Sequence, residues 1–584
     1  METTETQVMD AQRERIYKAG PRASVQVTFE DGTILEGPVG ATLETFAQAY
    51  EGMQAPRGAL PVAAIVDGRL RELTMRVTRD VDVRLVRIDT GDGGRVYRRS
   101  LAFLLTVAAA ELFPDMQVMV DYALPSGAFF CKVRGREPFT EADLDAIRTR
   151  MQEIVASSEP IARHVIPLSE AVELFRACGD DDKVRLLEFR TKNYLTIYRL
   201  RGEVDYFYGY MVPNTGYLTL FNVLPEEDGF ILQYPRRESP NIILPYVKSP
   251  QLTDVFRRTE EWLSLLGVED IGNLNQAIRD GRARELVMVN EALHERRISE
   301  IASEIAQRHA DGLRLALIAG PSSSGKTTFS KRLAIHIMAH GLQPYTLEMD
   351  RYFVDRELTP RDENGEFDFE ALEAVDLALF NEQLLALTAG QPVRISRFDF
   401  VTGLRSFEEQ ETQLSREHIL IIEGIHGLNP GLVSALTTEK TYRVYVSALT
   451  QLNIDRHNRV PTTDVRLIRR IVRDATLRGY SALDTLTRWE SVRRGEKRNI
   501  FPYQENADVM FNSALVYELA VLRLLAEPLL LQVEPWQPYY IEARRLISIL
   551  GWLKTMGTEL VPDNSLLREF IGGSILRDYM PGQR

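Results

Sequence analysis

The chain is poor in cysteine: only Cys131 and Cys178 occur in 584 residues, and they form no C-x-x-C spacing. That scarcity argues against a disulfide framework and a zinc ribbon, and predicts two small packed residues in a reducing compartment. Long apolar runs are missing too. The greasiest stretch, Leu101 to Phe113, is interrupted by Thr106 and Glu111 and is too short to span a bilayer. The opening Met1-Glu2-Thr3-Thr4-Glu5 is acidic and has no apolar segment, so no signal peptide is expected. Nor is there an excess of positive charge: 70 Lys and Arg against 83 Asp and Glu leave a net −13. General binding to nucleic acid or to an anionic membrane is therefore disfavoured, although a local basic patch is allowed. No internal repeat or low-complexity tract is visible. A cytoplasmic protein without a membrane partner is expected.

What is present is ordinary globular material, 44% hydrophobic and 26% charged. The length exceeds what one core supports, so several domains are expected. Residues 1–20 read as a polar tail. Residues 21–88 read as a β-grasp module, with a hairpin around Glu30-Asp31-Gly32, a helix near Thr42–Ala47, and strands at Ala63–Leu70 and Val81–Val86. A break at Asp89–Gly94 opens a second α+β unit over 89–244. It contains an apolar helix (Leu101–Leu112), a charged helix (Glu141–Ala156) and aromatic strands at Tyr194–Tyr198 and Tyr217–Phe221. Residues 245–310 suggest a helical connector. Alternating strand and helix signals over 311–540 predict a parallel α/β sheet, and 541–584 suggest terminal helices with a polar end.

The most specific feature lies in that α/β unit. Gly320-Pro321-Ser322-Ser323-Ser324-Gly325-Lys326-Thr327 spells G-x-x-x-x-G-K-T directly after the apolar run Leu313–Ala319, and Thr328–Ala334 continues as a helix. Strand, glycine-rich turn and helix are the context a phosphate-binding P-loop requires. Backbone amides there can face phosphate oxygens, Lys326 supplies a point charge, and the Thr327 hydroxyl can ligate Mg²⁺. A nucleoside triphosphate ligand is expected. No N-K-x-D motif appears, which weakens a GTPase reading.

Downstream residues extend the chemistry. Thr346–Asp350 reads as a strand ending in an acid, followed by Tyr352 and Phe353. A carboxylate there faces the ligand crevice, where it could take a hydroxyl proton or help hold Mg²⁺. His418–Glu423 is a second buried strand ending in an acid, the form expected of a metal-side carboxylate. The following His426 is assigned no role. Between Arg456 and Arg498 there are twelve Lys or Arg against five Asp or Glu. Arg466, Arg469, Arg470 and Arg473 recur at three- and four-residue spacing, on one broad helical face, and could close over a transferring phosphoryl group.

The motifs GPSSSGKTT, MDRYF, GEFDFEALEAVDLALF, ISRFDF, ILIIEGIHGL and RLIRRIVRDATLRGY, in this order, resemble the uridine/cytidine kinase and phosphoribulokinase group over about 230 residues. The resemblance implies an ATP- and Mg²⁺-dependent transfer of the γ-phosphoryl to the 5′-hydroxyl of a nucleoside. Asp350 would be the general base, Asp368 would hold the ribose, and Glu423 would stand on the Mg²⁺ side with Thr327. Arg470, Arg473 and Arg478 would form the lid and phosphate clamp, while Tyr352, Phe398 and Phe400 would shape an acceptor pocket. Phe398 stands where the family has a base-reading Tyr and Gly403 where it has a His, which leaves the acceptor open. A phosphoribulokinase-like alcohol or sugar-phosphate acceptor is the alternative.

The first 240 residues resemble the N-terminal part of threonyl-tRNA synthetase, a TGS module followed by an editing-type domain, through Phe113-Pro114-Asp115, Pro138–Leu144 and Val212–Gly216. At the four positions of the functional His and Cys centre the chain has Arg99, Phe103, Phe207 and Met211. None of these can do the acid–base or metal chemistry of His and Cys, so a filled cleft without hydrolase activity is expected. RNA binding, a small effector, homo-oligomer formation or a scaffold role are left for this half; the alternative for the whole chain is a nucleotide-switched RNA-binding regulator with this half as the reader.

Overall fold

The computed structural model describes residues 20, 22–53, 58–362, 365–433, 440–450 and 452–581; of the expected tail 1–20, all but Gly20 lies outside them. Strands β1 (Ser24–Phe29) and β2 (Ile34–Pro38) form the expected hairpin, followed by α1 (Leu43–Met53), β3 (Pro61–Val66), β4 (Arg69–Arg71) and β5 (Val81–Arg87). The sheet order is β2-β1-β5-β3-β4, with β1 and β5 parallel at its centre. Val25, Val27 and Phe29 alternate inward against Phe46 and Tyr50 of α1, and Phe29 stacks on Tyr50 at 4.0 Å. The segment Ala63–Leu70 is not the single strand expected. Asp67 and Gly68 both have positive φ (47° and 73°), which turns it into a hairpin between β3 and β4.

The second unit runs α2 (Gly91–Leu112), β6 (Gln117–Leu124), β7 (Ala128–Arg134), α3 (Glu141–Ala156), β8 (Ala162–Pro167), α4 (Leu168–Ala177), α5 (Asp181–Leu187), β9 (Tyr194–Leu200), β10 (Glu203–Tyr206), β11 (Asn222–Glu226) and β12 (Gly229–Gln233). It holds two antiparallel sheets, β10-β9-β8 and β11-β12-β7-β6. The glycine-rich break at 89–94 is itself the first turn of α2. Thr90 caps it by accepting from the Gly93 amide, and a Cβ on Gly93 would meet the Arg87 carbonyl oxygen at 1.9 Å. Gly93 thus serves the close packing of α2 on β5. Helix α3 spans the expected residues and starts on a Thr140/Asp143 capping box. The strand expected at Tyr217–Phe221 does not form: the Tyr97 hydroxyl accepts from the Leu220 amide and donates to its carbonyl, both at 2.9 Å, in place of a neighbouring strand.

Three helices follow, α6 (Pro250–Leu266), α7 (Ile271–Arg279) and α8 (Ala283–Ala310). Helix α8 is more than a connector, since Ile298, Ile301 and Ile305 share a core with Phe329 and Leu333 of the next unit. That unit runs β13 (Leu315–Ala319), α9 (Lys326–Ala339), β14 (Gln343–Glu348), α10 (Leu377–Thr388), β15 (Ser396–Asp399), β16 (Leu404–Phe407), β17 (His418–Glu423), β18 (Thr441–Ser447), α11 (Thr462–Arg478), α12 (Ala482–Asn499), β19 (Val509–Asn512) and α13 (Glu518–Leu531). Its parallel sheet has the order β14-β17-β13-β18-β19. Central β13 is buried along its whole length, which explains its unbroken apolar sequence. Gly320, Met349–Asp350 and Glu423 leave the same carboxyl edge of this sheet, where ligands of such folds bind.

The terminal segment holds α14 (Tyr540–Leu550) and α15 (Arg568–Ile571). The expected polar end is instead partly core: Leu546, Leu567 and Phe570 are fully buried together with Phe175, Leu186 and Leu274 of earlier elements and Ile468 of α11. Among the described residues no helix is long and apolar enough to cross a membrane.

Candidate active site

The loop between β13 and α9 has the geometry of an anion cradle. A Cβ on Gly320 would meet the Val446 carbonyl oxygen at 2.0 Å; Gly325 has φ 89°, and its Cβ would meet Leu566 at 2.1 Å. Ser323 adopts φ 58°, an uncommon backbone state for a residue with a side chain and one that recurs at functional turns. Two amides of this segment carry carboxylate oxygens where a phosphate oxygen would fit: Ser322 N–H donates to Glu496 at 3.2 Å and Thr328 N–H to Glu569 at 3.0 Å. Lys326 Nζ donates to the Pro321 carbonyl at 3.1 Å. Burial depresses its pKa, against the opposing pull of Glu423, Glu569, Asp350 and Glu370.

Three of these four carboxyl groups are themselves raised. Asp350 keeps an exposed face, yet partial desolvation in the crevice raises it to about 6, with repulsion from Glu348 adding to it and Lys326 and Arg478 opposing. Burial raises Glu370 to about 7, against Arg470 and Lys326. Glu423 is raised to about 8 by burial and by Glu348, against Lys326 and the Thr327 hydroxyl. Thr327 Oγ1 donates to Glu423 Oε1 at 2.7 Å, while Glu423 Oε2 is buried without a hydrogen-bond partner among the described residues. A threonine hydroxyl beside an orphaned carboxylate oxygen is a hard-oxygen donor set that fits Mg²⁺. Glu370 Oε2 is likewise buried and unpartnered.

Arg466, Arg469 and Arg470 of helix α11 all turn toward the Ser322–Ser323 loop, as their spacing predicts, but they divide between two tasks. Arg466 and Arg469 are fully buried. Arg466 pairs with Glu496 and donates to the Ser322 carbonyl at 2.9 Å. Arg469 donates to Glu518 at 2.6 Å and to the Ser513 carbonyl at 2.7 Å. Both thus brace the loop from behind. Arg470 faces it, donating to Ser322 Oγ at 2.8 Å. Asp474 gathers Arg473 at 2.9 Å, Arg470 at 3.3 Å and Arg478 at 3.6 Å, and Arg478 remains half exposed.

On the acceptor side, Tyr352 does not line the site. It is 1% exposed, donates its hydroxyl to Gln383 at 3.0 Å and packs edge-on against Phe380, because its strand-end position turns it into the core beneath β14. Phe398 is also buried, on the β15–β16 hairpin, whereas Phe400 at the hairpin tip is 58% exposed and stands edge-to-face with Phe398 at 5.2 Å. Asp368 is committed to an ion pair with Arg498 at 2.5 Å and to the Glu370 amide at 3.1 Å. His426 is buried against the Ala371 carbonyl.

Sequence reasoning missed Glu370, Glu496 and Glu569. Glu370 stood within a recognised motif but carried no signal of its burial; a Cβ on Gly495 of α12 would meet its Cβ at 2.2 Å, a contact made only in the fold. Glu569 lies more than two hundred residues from the loop it touches. In the second unit, Phe103, Phe207 and Met211 are buried in one core, with Phe103 and Phe207 5.4 Å apart, while Arg99 lies over the Tyr208 ring at 5.5 Å.

Residues 316–520 match the model of the Phosphoribulokinase / Uridine kinase family. The threonine–tRNA ligase of Acidovorax sp. (strain JS42) is 32% identical over 203 residues, covering 34% of this chain and 31% of that protein. That of Methylococcus capsulatus is 34% identical over 199 residues with the same coverage. The chain thus spans about a third of the length of the curated relatives it matches, 31% in both cases. Among solved structures, a provisional fructose transport system kinase from Silicibacter sp. TM1040 is 22% identical at a TM-score of 0.28, over 37% of this chain and 98% of that one. A possible uridine kinase from Bacillus stearothermophilus is 18% identical at a TM-score of 0.24, over 34% of this chain and 89% of that one. The chain joins an N-terminal part similar to threonine–tRNA ligases to a P-loop kinase segment, residues 316–520, that matches the Phosphoribulokinase / Uridine kinase family.

Proposed function

We propose that the chain is an ATP-dependent kinase that phosphorylates the 5′-hydroxyl of a nucleoside, with Asp350 as the general base. The observation that carries this reading is the Gly320–Thr328 cradle with Thr327 donating to Glu423 at 2.7 Å on one side and Arg470 donating to Ser322 Oγ at 2.8 Å on the other. The loop amides and Lys326 would bind the β- and γ-phosphates, and Arg470 and Arg473 would neutralise charge on the transferring group. Thr327 and Glu423 would hold Mg²⁺, which when bound offsets charge on the phosphate oxygens. In the transfer, the acceptor oxygen forms a bond to the γ-phosphorus, the bond from that phosphorus to the β–γ bridging oxygen breaks, and the hydroxyl proton passes to Asp350. A partly desolvated carboxyl raised to about 6 is ionised at neutral pH and still basic enough to receive it. Phe400 would stack on the base.

A second reading, a sugar-phosphate or other alcohol acceptor, is favoured by the burial of Tyr352 and Phe398, which leaves Phe400 as the exposed ring of the expected three. The half-exposed Arg478 could meet an acceptor phosphate. The front half is given no hydrolase role, because Phe103, Phe207 and Met211 supply no nucleophile or base. Release of ADP from ATP–Mg²⁺ across ribonucleosides, deoxyribonucleosides and sugar phosphates tests both readings. Turnover stimulated by one nucleoside supports the first and by a sugar phosphate the second; ATP binding without stimulation by any acceptor contradicts both.

A further inference from the structure

A cavity of about 730 Å³ lies between the second unit and the kinase segment, on the sheet face opposite α9. Its walls come from α2, the β6–β7 turn, the stretch before α11, and α12. The lining holds ten Lys or Arg and only two acids, Glu238 and Glu505, in a chain whose net charge is −13. Several of these cations are already paired: Arg95 with Glu542, Arg237 with Glu490, Lys497 with Glu238, and Arg466 and Arg493 with Glu496.

Three are not. Arg98, Arg99 and Arg459 have no carboxylate within ion-pair distance among the described residues. The Arg98 side chain makes no hydrogen bond among the described residues and lies over the Tyr234 ring at 5.2 Å. Arg99 donates to the Tyr210 carbonyl at 2.6 Å, and Arg459 to the Asp121 carbonyl at 2.9 Å while lying over Phe129 at 5.3 Å. Desolvation pushes all three guanidinium pKa values down, and a neighbouring arginine adds to this at each (Arg95 at Arg98 and Arg99, Arg98 at Arg459), while Asp464 opposes it at Arg98 and Asp121 at Arg459. The three are half-buried cations with no ion-pair partner in contact, and an anion in the cavity would offset their partial desolvation. The remaining walls, including Ala102, Phe207, Leu252 and Leu449, are apolar, and the volume is that of a small-molecule site.

We propose that this cavity is a second ligand site, separate from the P-loop, that binds a nucleotide: phosphate oxygens on Arg98, Arg99 and Arg459, with the flat base against the apolar wall. The site is wired to the kinase segment. Arg466 lines the cavity and donates to the Ser322 carbonyl of the loop, and Thr462 and Thr463 in the cavity wall begin the helix that carries Arg470 and Arg473. An occupant would therefore act as an effector of phosphoryl transfer.

The test is calorimetric titration of the full chain with the ribonucleoside 5′-monophosphates and triphosphates, with inorganic pyrophosphate and with tRNA. It is run on the unaltered protein, on Lys326→Ala and on Arg98→Gln/Arg459→Gln. One equivalent of a nucleotide is expected to survive Lys326→Ala and to weaken at least tenfold in the double variant. If no equivalent survives Lys326→Ala, or if the surviving one ignores the double variant, the proposal fails. Pyrophosphate bound as tightly as any nucleotide, or tRNA bound there in place of nucleotides, overturns the nucleotide assignment. Arg98→Gln alone and Arg98→Lys guard against misfolding of the double variant. Both should unfold at the unaltered protein's temperature, with only Arg98→Lys keeping most of the affinity.

Discussion

The backbone amide of Thr328 donates to the carboxylate of Glu569, 241 residues downstream, at 3.0 Å. Leu566, three residues before that glutamate, lies against Gly325 so closely that no Cβ could replace the glycine hydrogen. The terminal segment therefore holds one of the amides that a bound phosphate would use, and an incoming nucleotide has to displace it. A charge-assisted hydrogen bond at a helix N-terminus is worth about 1.4 kcal/mol, a factor of about ten in affinity. Glu569→Ala is expected to tighten ATP binding by about tenfold in a fluorescent-nucleotide titration; an unchanged or larger Kd would contradict this.

Asp350 offers a pH signature. Its carboxyl is raised to about 6 by partial desolvation, and a base acts only when deprotonated, so kcat should rise with pH through about 6 and then level. Asp350→Asn should lower kcat by about 10²- to 10⁴-fold and abolish that limb while leaving the nucleotide Kd within about threefold. Retention of most of the activity would remove Asp350 from the mechanism. Lys326→Ala should instead impair nucleotide binding and turnover together.

The two kinds of arginine on α11 separate catalysis from stability. Arg470→Ala is expected to reduce kcat by about 10²- to 10³-fold, with the unfolding midpoint little changed. Arg466→Ala leaves Glu496 buried without its strongest partner and should cost about 3–5 kcal/mol in denaturant unfolding. Equal loss of stability in both variants would show that Arg470 too is a structural residue.

Phe400 reports on the acceptor. With a nucleoside, Phe400→Ala should raise KM by about five- to tenfold, about 1 kcal/mol of ring stacking, and leave the ATP KM unchanged. With a sugar-phosphate acceptor the same change should have little effect, while Arg478→Ala should raise KM.

Much of this protein is legible one segment at a time. The cradle at Gly320–Thr328 depends on a local run of strand, turn and helix, and α3 announces itself through Thr140, Asp143 and apolar spacing. The parallel sheet likewise follows from buried runs such as Leu315–Ala319, since a strand covered on both faces has no polar side to show. Less was legible where a local signal had a non-local cause. Asp89–Gly94 marks the start of the second unit, but only the fold shows that the carbonyl of Arg87 forbids a side chain at Gly93. Tyr217–Phe221 had the composition of a strand, and a single hydroxyl from Tyr97 took the place of its neighbour.

Sequence by itself determined that a phosphate cradle exists, that Glu423 ends the strand beside it, and that α11 is rich in arginine, because each is set by residue type and short-range spacing; the strand expected to end at Asp350 stops at Glu348, and Asp350 stands in the turn that follows. Only the tertiary structure decided which arginines face the cradle, that Tyr352 belongs to the core, that Glu569 reaches Thr328, and that three unpaired arginines surround a cavity between two units. Those outcomes depend on burial and on charges brought together from distant segments, and both arise when the chain packs, not along its length.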